Sequence, residues 1–254
     1  MRRDLLAFTG FAAMMCAGAS ALAEPPKKAP PPRLPLPDVR SAPTLPWRRH
    51  VELGGDIAYV NRLAVHSAGS PNIHYEPTVG FGLHAGIEIF RYLRWAAHFV
   101  DARHDLSLPP GSLGLHEASE IETPSVYTFV FGARFMPTLP LGSRVRLWAT
   151  VGVGYGRFEF DRMQVTEPGH GQYTVRDRSD PFIEFPLGGG ASFEIIPGWL
   201  LVKVELTGAF VDNQEGDAVG PVQAIDGMGR KREVGGFPEI SGSFVQTLGL
   251  SLAL

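Results

Sequence analysis

Eight times along this chain, apolar residues return at every second position while glycine and charged residues fill the places between them. In one such run Val79, Phe81, Leu83, Ala85, Ile87 and Ile89 alternate with Gly80, Gly82, His84, Gly86 and Glu88. A period of two puts the two sets on opposite faces of a β-strand. The series occupy 51–59, 79–89, 93–99, 127–135, 145–155, 183–195, 200–210 and 240–254. They predict eight strands.

The connections alternate as well. Those at 62–77, 101–123, 161–181 and 211–237 are long and polar, whereas 90–92, 137–143 and 197–198 are tight turns. Such segregation predicts an up-and-down antiparallel order with every long loop at one end. A soluble sandwich has no reason to sort its loops this way, and a transmembrane barrel does.

Face polarity separates the eight-stranded alternatives. The second face carries Gly132, Gly152, Gly154, Gly188 and Gly190 together with many charges. Eight strands enclose little space, so small residues and ion pairs suit the inside. The apolar series then meets lipid, and the sheet closes because hydrocarbon cannot satisfy an open strand edge. The mean hydropathy of +0.01 is the sum of two opposed faces. Among 254 residues, one Cys excludes a disulfide scaffold, and a net charge of -3 gives no electrostatic case for nucleic acid. No apolar run of about 20 residues follows the N-terminus, which excludes a helical membrane bundle.

The first residues read as an export signal over 1–23: Arg2 and Arg3, an apolar stretch, then Ala21, Leu22 and Ala23 as a small-x-small cleavage site. Cys16 is discarded with it. Residues 24–47 form a Pro-rich periplasmic spacer, with nine prolines in the 23 positions 25–47. The barrel is assigned to 48–254.

The candidate site is the lumen. A three-residue turn at 90–92 sets Glu88 opposite Arg94 and His84 opposite His98, all inward. Glu88, Arg94, Arg134, Arg144, Arg146, Glu184, Glu194, Lys203 and Glu205 form the expected ion-pair network, with Glu52 and Asp56 as further inward acids. Bare charges in so narrow a space cost several kcal/mol, so near balance of sign predicts a plug rather than a selective pore. His84 and His98 are read as lumen filling, since no carboxylate or Cys stands at ligand spacing with them. Asp101, Arg103 and Asp105 mark where the third strand leaves the membrane. His104 and Asp105 imitate half of a hydrolytic site, but no nucleophile motif accompanies them. No catalytic group, metal or cofactor is expected.

The export signal, eight amphipathic strands and alternating loops resemble the small bacterial outer-membrane barrels of the OmpA/OmpX type. The final nine residues resemble the insertion signal of that family, with Thr247, Gly249, Leu252 and Leu254 in its places and Leu instead of Phe at the end. The resemblance implies outer-membrane lipid, lipopolysaccharide and the barrel-assembly machinery as partners. It also implies a non-enzymatic envelope barrel whose four external loops meet the environment, an external ligand or a host surface. The alternatives are a narrow porin-like channel for small or apolar solutes and a lipid-A-modifying hydrolase.

Overall fold

The computed structural model describes residues 51–65, 73–122, 125–213 and 222–254, all within one compact unit, Trp47–Leu254. The export signal, Cys16, the Pro-rich spacer and His66 lie outside the described residues.

Fourteen strands run in chain order: β1 (Val51–Val65), β2 (His74–Tyr75), β3 (Thr78–Phe90), β4 (Leu93–Ser107), β5 (Glu120–Ile121), β6 (Ser125–Leu141), β7 (Val145–Phe160), β8 (Met163–Glu167), β9 (Gly171–Val175), β10 (Arg178–Ile196), β11 (Leu200–Asn213), β12 (Val222–Asp226), β13 (Lys231–Val234) and β14 (Glu239–Ala253). Eight of them form the barrel, in the order β4-β3-β1-β14-β11-β10-β7-β6, and pairing of β4 with β6 closes it. Every barrel pairing is antiparallel. In the β3–β4 hairpin Glu88 faces Arg94 and His84 faces His98. The chain ends beside the short turns, where Leu254 and Val51 exchange backbone hydrogen bonds of 2.8 and 3.1 Å.

The outward series is exposed. Ile57, Val79, Trp95, Phe131, Val151, Leu187, Val204 and Leu248, one on each barrel strand, stand between 38% and 66% exposed. A continuous apolar band of this size has no place in water and marks a membrane-facing surface. Lipid is its solvent.

The long connections are not simply polar loops. Strands such as β4 and β7 continue past the apolar band, and four of the six remaining strands form two hairpins, β8–β9 and β12–β13. Together with β5 these build a second sheet in the order β13-β12-β9-β8-β5. Beyond the band the two faces exchange polarity. On β4, Asp101, Arg103 and Asp105 point out while Ala102, His104 and Leu106 are buried; on β7, Arg157 and Glu159 point out while Phe158 and Phe160 are buried. The reason is the change of solvent: outside hydrocarbon the outer face meets water, and the inner face becomes an ordinary apolar core. The expected ends of the strands, drawn where the outward residues turn charged, therefore fall short of the real ones.

Candidate functional site

The lumen has two tiers. At the turn end it is ionic. Glu52 on β1 holds Arg94 Nη1 at 2.5 Å with one oxygen and Lys203 Nζ at 2.9 Å with the other. His84 lies 3.3 Å from the same carboxylate, meets Asp56 at 2.7 Å through Nδ1, and meets Ser251 Oγ at 2.8 Å through Nε2. Arg134 on β6 pairs with Glu205 on β11 across the barrel at 2.5 Å. Arg146 on β7 spans Glu88 and Glu194, the latter at 3.1 Å, and Glu194 also accepts the Gly198 N–H at 3.1 Å. Most of these bonds link strands that are not neighbours.

Opposed register does not decide partnership. Glu88 faces Arg94 but pairs with Arg146, while Arg94 reaches Glu52. Arg144 departs from the expected network: it lies exposed in the turn after β6, at the point where that strand has ended. Its place among the cations falls to Arg62, which pairs with Glu184 at 3.1 Å while its guanidinium stands over the Phe182 ring. The signal for Arg62 is parity. It continues the inward series of Ala58 and Val60, beside Asn61, which interrupts the outward apolar pattern. His98 is buried at 7% exposure against Gly132. Of the C-terminal residues, Thr247 and Gly249 sit on the inward side of β14, while Leu252 and Leu254 face out.

Inward glycines make this filling possible. A Cβ at Gly54 would lie 2.5 Å from the His84 ring, one at Gly132 would lie 2.7 Å from His98, and one at Gly190 would lie 2.5 Å from Trp148. Arg94 covers Gly86 and Phe182 covers Gly156 in the same way. Each large side chain lies flat on a neighbouring strand that has none. Two cavities of about 20 Å³ lie in the lumen, one at the turn end and one beside His98. Each has room for about one water molecule.

At the loop end the filling is apolar. Phe158 stacks on Phe182 with ring centres 5.9 Å apart, and Phe160 stacks on Phe237 at 4.4 Å. Val126, Val130, Met163, Val165, Tyr173 and Ile240 complete one buried cluster with residues from all four long connections. His104 belongs here. It is fully buried, bonded to the Glu76 carbonyl at 3.0 Å and 3.3 Å from Thr128 Oγ1, so it forms no exposed pair with Asp105. Ion pairs tie the cap together: buried Glu167 holds Arg232 and accepts the His116 N–H at 3.2 Å. Tyr75 donates to the Pro238 carbonyl at 2.8 Å, and burial pushes its phenol well above the usual tyrosine value.

A closed barrel with an apolar belt and a packed interior defines a small eight-stranded outer-membrane-type barrel. The chain is similar to several solved structures. A major outer membrane protein from Thermus thermophilus superposes with a TM-score of 0.54 at 15% identity, covering 82% of this chain and 100% of that one. OprG, an outer membrane protein from Pseudomonas aeruginosa, aligns over 81% of this chain and 95% of its own at 12% identity and a TM-score of 0.44. Ail, the attachment invasion locus protein of Yersinia pestis, does so over 81% and 97% at 13% identity and a TM-score of 0.41. At such identities the likeness is one of fold. No protein-family model matches the chain, and no curated protein does.

Proposed function

We propose that this chain is a non-conducting, non-enzymatic barrel of the outer membrane whose working part is the folded cap, held on the outside for envelope structure or surface contact. One observation carries the reading: the lumen is filled from both ends, with cavities of only about 20 Å³ at its ionic end and stacked phenylalanines at the other. A solute path needs polar lining continuous from mouth to mouth. Here the polar lining stops beneath the apolar cluster. Burial of His104 removes the one histidine that sequence placed near a hydrolytic arrangement.

The N-terminal 23 residues serve export and 24–47 serve as the periplasmic spacer, with Thr247, Gly249, Leu252 and Leu254 addressing the barrel-assembly machinery. Lipid and lipopolysaccharide surround the belt. At its upper edge Arg103 bonds Ser125 and Asp161, a polar rim at the height where headgroups begin.

Planar-bilayer recording of the purified full chain tests this reading. No stable single-channel currents are expected, whereas large, steady openings overturn it. Assay of lipid A acyl chains after overexpression checks the enzymatic alternative, and their number is expected to stay unchanged.

A further inference from the structure

The connection between β4 and β6 lines a half-open hollow of about 340 Å³ on the cap, far larger than the two spaces in the lumen. That volume lies within the usual range of small-molecule pockets. Leu106, Leu108, Pro109, Leu115 and Ile121 form its apolar walls. One charged group stands at its mouth: Glu117, exposed on the rim, makes no ion pair among the described residues.

The walls are held in shape before any ligand arrives. Leu113 takes a left-handed backbone with φ of 58°, a conformation that costs of order 1 kcal/mol or more for a residue with a side chain. Its burial at 1% exposure and the Gly235 N–H donated to its carbonyl at 2.8 Å keep it there. The His116 N–H is fixed by Glu167, and the Glu122 N–H by the Gln164 carbonyl at 2.9 Å. The concavity is therefore anchored to the β8–β9 hairpin and to the segment after β13.

Charge selects the ligand. From 106 to 122 the chain carries Glu117, Glu120 and Glu122 and no Lys or Arg. His116 Nδ1 accepts the Ala118 N–H at 3.2 Å. We infer that this pocket binds a small cationic amphiphile: a compact apolar body against the leucine and proline walls, with an ammonium group at Glu117. The inference is independent of whether the lumen conducts.

Isotope-labelled full chain in phosphatidylcholine nanodiscs is titrated with cyclohexylammonium, cyclohexanol and cyclohexanecarboxylate while amide shifts are followed by NMR. Saturable shifts confined to 106–121 are expected, with the ammonium about three- to fivefold tighter than the alcohol, the size of a partly exposed ion pair. The carboxylate binds weakest. Glu117→Gln brings the ammonium down to the alcohol, and Ile121→Trp, which fills the cavity, abolishes saturation by both. Shifts that fail to saturate, that fall elsewhere, or that are equal for cation and anion overturn the inference. Should either variant disturb the spectrum outside the pocket, the order of the three ligands on the unaltered chain decides.

Discussion

Gly156 has no side chain because the Phe182 ring occupies its place, and the same exchange recurs down the barrel wall. The lumen is thus packed in pairs, one large group over one glycine, and most of its charges are buried. Arg134 and Glu205, each 9% exposed, are the cleanest case. Arg134→Met leaves the carboxylate buried and unpaired, and a loss of about 3–5 kcal/mol in equilibrium unfolding is expected. Arg134→Met combined with Glu205→Leu recovers most of it. Equal losses in the single and double variants refute a paired role. Sequence told which residues face inward but not which of them meet. Glu88 and Arg94 were legible as neighbours because a short turn fixes their register, whereas Arg146 and Glu194 meet across a connection of some length. Arg144 was misplaced because parity ceases to apply once a strand becomes a turn.

The barrel strands themselves pass through two solvents, and their pattern shows it. Alternation persists from the turn end to the cap, but its sign reverses near Asp101 on β4 and Arg157 on β7. The eight strands were legible because a period of two survives in either medium. The cap was not, because its short strands, two to five residues each, are held by tertiary pairing rather than by a pattern of their own. Tyr75 on β2 gives the cap a distinctive response to alkali. Its phenol is neutral when buried and titrates near pH 10 when unfolded. The stability it contributes is whole below about pH 10 and lost as the pH rises beyond that value. Hydrogen exchange of cap amides is expected to accelerate above about pH 10 in the parent chain, beyond the ordinary base-catalysed rise of unprotected amides. Tyr75→Phe is expected to lose about 1 kcal/mol at neutral pH with the Pro238 bond and to show a weaker alkaline response. An unchanged pH profile in that variant removes Tyr75 from this role.

As a whole the molecule is a globular core and a membrane barrel built on one set of strands. Its described tryptophans, Trp95, Trp148 and Trp199, all lie in the turn-end half, so their fluorescence reports the belt alone. Urea acts on surface that water can reach. In bilayers, with Trp47→Phe so that only these three emit, cap amides are expected to lose exchange protection at urea concentrations that leave tryptophan emission unchanged, and coincident transitions refute this division. The reversal of polarity also bears on biogenesis. A chain crossing a bilayer cannot bring a packed hydrophobic centre with it, so Phe158, Phe160 and Phe237 travel unpacked and find one another only after their strands have crossed. With the cap outside, as proposed above, the last step in making this protein is the folding of that apolar core on the far side of the membrane, and whatever the cell surface presents at that moment is the medium in which it folds.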